Sequence, residues 1–395
     1  MIGKNSSIDI ADFSLIYGGS LNRLLIRTGL IKPDSPQIVR KVVFAVIITW
    51  VPLLILSVIQ GIAYGSQVKV PFFYDIAVHV RFLLALPLLI IAGGVIDPRT
   101  KAMGMQFINS NLIREEEIKG FESAVNGVTR LRNSAIVEFI LLGFVILVAV
   151  SGTLRIELTS NISTWQALIS DNKYTLAGWW NHYVSKPVIQ FLLLRWLWRF
   201  IIWSRFLWNM SRLNLQLIPT HPDMSGGLGF LGVGQEKFGI IAFALSAVLS
   251  AAIADQILFE EAQVKSFQTT IAGYMVLTLA FFLSPLFVFS PKLVMVKRKG
   301  LLEYGALATG YTQSFDKKWV RGNAPEDEVL LGSSDIQSLA DLGNSFEIIR
   351  KMRLVPFGLM TIRSLTVATV VPFLPLVLTI IPAEEIVVKI IKFLL

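Results

Sequence analysis

The sequence predicts an all-α integral membrane protein with about seven transmembrane helices. Three observations carry that reading. The chain of 395 residues is 54% hydrophobic and 16% charged, where soluble domains sit near 45–50% and about 25%. Its apolar residues come in blocks long enough to cross a bilayer as helices. The dense Lys and Arg clusters fall in alternate connections, as positive-inside sorting requires.

The elements follow in order. Residues 1–41 form a polar amphipathic segment, with a surface helix expected over 8–30. Arg40-Lys41 anchors a first span at 42–64, and a second runs over 76–96 until Asp97-Pro98-Arg99 ends it. Residues 99–134 are too polar to span and read as a helical cytoplasmic excursion. The stretch 135–293 carries spans three to six at 135–152, 187–208, 238–259 and 271–289, with an external loop at 153–186 whose tryptophans are expected at headgroup level. Residues 294–361 form a second cytoplasmic segment, in which Ser334 or Asp335 caps an amphipathic helix. Residues 362–395 hold span seven, at 362–381, and an amphipathic tail. Pro52, Pro87, Pro285 and Pro375 fall inside spans, where each removes a backbone donor.

With the N-terminus inside, every dense basic cluster is cytoplasmic, the arrangement of a bacterial-type inner-membrane protein. The net charge of +9 is therefore an orientation signal, and no nucleic-acid partner is implied. The chain has no cysteine, which excludes disulfides and thiolate sites. Three histidines on separate segments make a zinc site improbable, and no cofactor is expected. No catalytic constellation occurs at useful spacing, so the chain is not read as an enzyme.

The costly feature is span four. Arg195, Arg199 and Arg205 lie within it and Arg212 just below it. Arginine at mid-membrane costs roughly 2.5–3.5 kcal/mol on insertion scales. At about 100° per residue the four share an arc of roughly 140°, a face expected to look into the protein or a water-filled space. Trp196 and Trp203 can stack on the guanidinium groups. Glu138 matches Arg205 in depth, Asp255 is placed to meet Arg195, and Arg199 is left without an evident acid. Arg81, with His79, is expected to line an outer vestibule.

The loop 219–236 is the second constellation. His221, Asp223, Gly226, Gly227 and Gly229 form a Gly-rich turn whose amide groups are able to converge as an anion nest or act as a gate. These readings combine into an oligomeric channel or transporter for an anion or small anionic solute, with the span-four arginines lining the path. The alternative is a membrane scaffold or sensor whose segments 99–134 and 300–360 bind a soluble cytoplasmic protein.

Overall fold

The computed structural model describes residues 14, 15, 18, 37–151, 162–168, 173–322, 324, 325, 328–330 and 332–377. Helix accounts for 78% of the structure. The expected amphipathic helix at 8–30 and tail at 383–395 lie outside the described residues, except for Ser14, Leu15 and Gly18.

Among the described residues, five helices are long and apolar enough to cross a membrane: Ile38–Ile59, Ile76–Asn109, Phe230–Phe259, Val264–Val320 and Leu359–Leu376. A sixth arises if Glu115–Arg132 and Ala135–Ser151, bent by 42° at their junction, count together. Within these runs the regular helices are α1 (Ile38–Thr49), α2 (Val51–Ile59), α3 (Ile76–His79), α4 (Leu86–Asn109), α5 (Ile118–Arg132) and α6 (Ala135–Ser151). They continue as α7 (Leu176–Trp180), α8 (Lys186–Arg212), α9 (Phe230–Gln235), α10 (Gly239–Phe259), α11 (Gln268–Leu283), α12 (Ser290–Phe315), α13 (Ser334–Lys351), α14 (Leu359–Val370) and α15 (Leu374–Val377). The one sheet described is a two-residue hairpin, Ala167–Leu168 against Lys173–Tyr174.

Several boundaries differ from expectation. The second helix does not stop at Asp97-Pro98 but continues to Asn109. The Asp97 carboxylate accepts hydrogen bonds from Ser14 Oγ (2.7 Å) and Leu15 N (2.8 Å), and Thr100 Oγ1 donates to the Asp97 carbonyl (3.0 Å). Proline removes one donor there, but these bonds hold the turn in place. The excursion 99–134 is likewise not a solvated arm throughout. In α5, Phe121, Ala124, Val125 and Val128 form a stripe at helical spacing that is buried against α8.

The expected fourth span starts earlier than Pro187 and differs in kind. Helix begins at Leu176, passes through a π turn at Asn181–Ser185 and continues as α8 to Arg212. The 27 residues of α8 are long enough to span, but its five Lys and Arg keep it out of the apolar set. Its buried stripe is aromatic: Trp196, Phe200, Trp203, Phe206, Leu207 and Met210. This stripe, not the arginine face, turns toward the main core shared with α4, α9, α10 and the 284–289 turn.

α10 packs closely on α3, α4 and α14, because its buried face carries mostly small residues, including Ala242, Ala244, Ser246, Ala247, Ser250 and Ala251. Backbone geometry changes at the prolines. A π turn, Val80–Ala85, precedes Leu86-Pro87, and another, Asn181–Ser185, precedes Lys186-Pro187. Pro285 and Pro372 lie in 3-10 turns. A proline cannot donate to the carbonyl four residues back, so the helix re-registers around it. Past the apolar part of 264–320, α12 and α13 form an antiparallel hairpin. Ser333, one residue before the expected cap, occupies the N-cap of α13 without a side-chain bond.

Candidate functional site

The four charges that meet in the structure come from three helices. Asp75 is the N-cap of α3, its Oδ1 accepting from Val78 N at 2.8 Å. Its Oδ2 accepts from Trp165 Nε1 at 2.8 Å and from Gln166 Nε2 at 3.4 Å. Asp255 of α10 caps the same helix start, taking the amides of Ile76 (3.0 Å) and Ala77 (2.9 Å). One helix N-terminus thus holds two carboxylates, as its exposed amides and dipole favour. Arg81 lies in the π turn that follows, and Lys186 stands at the head of α8 just after the second π turn.

Together these residues line a cavity of about 630 Å³, within the range of small-ligand sites. Its polar end carries Asp75, Arg81, Gln166, His182, Lys186, Gln190 and Asp255, and its remaining wall is aliphatic. The hydrogen-bond inventory at the polar end is lopsided. The carboxylates are engaged by backbone and indole donors. His182 donates from Nε2 to the Ala149 carbonyl (2.9 Å), which leaves Nδ1 to accept from Tyr174 Oη (3.3 Å). Gln166 Oε1 accepts from Asn181 Nδ2 (2.7 Å). Arg81 feels the charges of Asp75 and Asp255, but among the described residues no acceptor lies within hydrogen-bond or ion-pair distance of its guanidinium. It is a half-buried fork of donors in the wall of the cavity, and a charge drawn partly out of water in this way calls for something to compensate it.

Of the residues singled out from sequence, only Arg81 and Asp255 belong to this site. Asp255 does not meet Arg195, since it is spent on the start of α3. Glu138 pairs with Arg195 at 3.3 Å, not with Arg205, because α6 packs along the upper half of α8. Arg199 lies over Trp196 with its guanidinium 5.0 Å from the ring centre. Arg195 and Arg199 border a cleft of about 20 Å³ with Arg132, Glu138 and Trp198, room for roughly one water. Arg205 is exposed, and Trp196 and Trp203 are core residues. Trp196 donates to the Leu89 carbonyl (2.8 Å) and Trp203 to Gln235 Oε1 (3.1 Å). The space that Arg195 and Arg199 share among the described residues is therefore too small for a solute. His79 is structural as well: Nε2 donates to the Phe72 carbonyl (3.1 Å), leaving Nδ1 to accept from Trp50 (3.0 Å).

The Gly-rich loop does form a nest, but its occupant is internal. The Asp223 carboxylate accepts from the amides of Ser225 (2.8 Å), Gly227 (3.1 Å) and Gly229 (2.7 Å), and pairs with His221 at 2.8 Å. Burial works against the charged form of Asp223, but these donors outweigh it and hold the carboxyl below its ordinary value of 3.8. Gly226 and Gly227 take the left-handed φ values, +65° and +96°, that the turn needs. Arg353 then bolts the loop down, donating to the Asp223 carbonyl (2.5 Å) and to Ser225 Oγ, while its own amide donates to the Met224 carbonyl. A loop with its amides already filled by its own carboxylate is a latch.

Asp75, Lys186, Gln190, Gln166 and Trp165 were not legible as site residues. Trp165, expected at the headgroups, is fully buried, because Asp75 supplies the acceptor its indole needs. The signals present were an Asp directly before a helix start, and a charge within a few residues of a helix proline, at Lys186-Pro187 and at Arg81 ahead of Pro87.

Comparison with protein-family models, curated proteins and solved structures returns no match. The reading of function therefore rests on the site itself.

Proposed function

We propose that the chain is a multi-spanning membrane protein that binds and conducts a small anionic solute, a channel or transporter whose selective element is the Arg81 cavity. The observation that carries this reading is the donor excess at the polar end of that cavity. Both acids are occupied by N–H groups, while Arg81 brings up to five donors to the wall of about 630 Å³ of space with no acceptor in reach among the described residues. A carboxylate, phosphate or halide supplies that acceptor, and fixed cations are how membrane pathways favour anions. Lys186 and Gln190, on the facing helix, are positioned to share the load. The two π turns that flank the cavity fit this reading, since such turns recur at functional sites.

The test is reconstitution in liposomes. Efflux of chloride, acetate and inorganic phosphate is compared with efflux of potassium, for the native chain and for Arg81→Gln. Anion efflux that falls about tenfold or more in the variant is expected, the scale of one or two charge-assisted hydrogen bonds. Cation preference in the native chain overturns the reading. Residence in a bacterial-type inner membrane with a cytoplasmic N-terminus, and assembly as an oligomer, belong to the same proposal.

A second reading, a scaffold or sensor, is favoured by the α12–α13 hairpin, where Leu302 and Leu307 are 77% and 56% exposed beyond the apolar part of their helix. If the full chain retains a soluble protein that Leu302→Asp releases, and carries no ion flux, this reading replaces the first.

A further inference from the structure

The shape of the site says more about its ligand than its charge does. The cavity of about 630 Å³ is polar only at one end; along α8 and α10 its wall is Ile189, Leu193, Ala244, Leu245, Val248 and Leu249. Leu193 and Leu245 also border a second cavity of about 170 Å³, whose other walls include Trp196, Phe200, Phe238, Phe281 and Phe282. Among the described residues no charged side chain lines this second space, and the Trp196 indole N–H there is already donated to the Leu89 carbonyl. The two spaces therefore meet at the Leu193–Leu245 pair and run from fixed positive charge into an aromatic slot.

A small hydrated anion has no use for the second, aromatic space. Apolar cavities of this kind stay dry, and filling one with hydrocarbon is favourable by the area removed from water and by the contacts regained. We propose that the ligand of the Arg81 site is an anionic amphiphile, with its carboxylate or phosphate head at Arg81 and its hydrocarbon chain laid past Leu193 and Leu245 into the Phe200–Phe282 slot. This rests on the anion-binding reading of the cavity and adds the substrate class to it. The route of entry is lateral. Val148 of α6 and Leu245, Val248 and Leu249 of α10 are only half-buried where they line the cavity, so the wall between α6 and α10 gives onto the hydrocarbon of the bilayer, where such a ligand is concentrated.

The experiment uses the full chain in phosphatidylcholine nanodiscs and a laurate carrying bromine at its ω-carbon, which quenches nearby indoles. Saturable quenching is expected, with its saturable part lost in Trp196→Phe. The methyl ester of the same acid should bind at least about tenfold more weakly, as should Arg81→Gln, with Arg81→Lys in between. Ile241→Phe, at a residue that lines the second space and not the first, should weaken saturable quenching at least about tenfold while leaving acetate efflux from liposomes in place; Leu197→Phe, likewise only in the second space, serves if that variant does not fold. Brominated phosphatidylglycerol in place of laurate separates a membrane lipid from a free fatty acid as the source of the head group. If acetate and inorganic phosphate displace the bromolaurate as well, mole for mole, as unlabelled laurate does, the tail slot is wrong and the anion site stands. If Arg81→Gln binds bromolaurate like the native chain, and conducts anions like it, both readings fall.

Discussion

Arg81 and Asp223 show how differently two charged residues are satisfied in this chain. Asp223 has more donors than one carboxylate normally finds, three amides and an imidazole, and all of them come from its own loop. Asp223→Ala strands those amides in a part-buried turn, so a loss of about 2–4 kcal/mol is expected, read as a lower melting temperature in detergent. Asp223→Asn should recover part of it. The pH dependence follows from the sign of the shift. The folded carboxyl is held below 3.8, so its contribution is complete above that pH and is lost as pH falls through the depressed folded value. A melting-temperature profile run down from neutral pH should drop more steeply in the native chain than in Asp223→Asn, and parallel profiles count against the latch. Arg81 is the opposite case, a donor set with no acceptor among the described residues. Its substitution by Gln should cost the fold little and the anion much.

At the scale of elements, the instructive comparison is between α8 and the turns that feed the cavity. From sequence, α8 looked like the functional helix because its arginines share a face. A helix has two faces, and here the aromatic stripe Trp196–Phe200–Trp203–Phe206 took the interior, since burying those rings is worth more than burying four cations that then need partners. Charge spacing alone does not say which face wins. The π turns were not legible either, though the prolines that accompany them were. Pro87 gives the testable consequence. In Pro87→Ala the missing backbone donor returns, and Val80–Ala85 is free to close into regular α-helix. That rotates Arg81 relative to Asp75, so anion affinity should fall about tenfold while stability changes by no more than about 1 kcal/mol. Equal losses in both would mean that the π turn serves packing only. Glu138→Gln tests the other pairing: it removes the carboxylate 3.3 Å from Arg195, in a pair whose side chains are 15% and 14% exposed, and should destabilise the α6–α8 contact by about 3–5 kcal/mol without moving anion affinity.

At the scale of the molecule, the order of ends was readable. The ends that the sequence assigned to one side, at Asp75, Gln166, His182, Lys186 and Asp255, meet around one cavity. Those assigned to the other side, at Glu117, Asn214, Asp223, Lys297 and Arg353, meet at the opposite end, where Glu117 accepts from Asn214 N (2.8 Å) and Lys297 donates to the Met352 carbonyl (2.7 Å). Long apolar blocks bounded by basic clusters carry that information because each block must cross or stay out. The site was not readable in the same way, because it is assembled from single residues at the ends of three helices, and only the fold brings Asp75 to Asp255. The absence of native cysteine makes the topology directly measurable. Lys173→Cys, on the hairpin, should react with a membrane-impermeant maleimide from outside intact cells, and Glu303→Cys, on α12, only after permeabilisation. Labelling of both from one side contradicts the alternation of the spans.

The central claim is that the anion site lies at Arg81 and not along the arginine face of α8. Parallel efflux measurements on Arg81→Gln and Arg199→Gln in the same liposomes decide it most directly. The account predicts that Arg81→Gln loses anion efflux by about tenfold or more, while Arg199→Gln, whose guanidinium lies over Trp196 beside a cleft too small for a solute, keeps most of it. Loss in Arg199→Gln with full efflux in Arg81→Gln would contradict it.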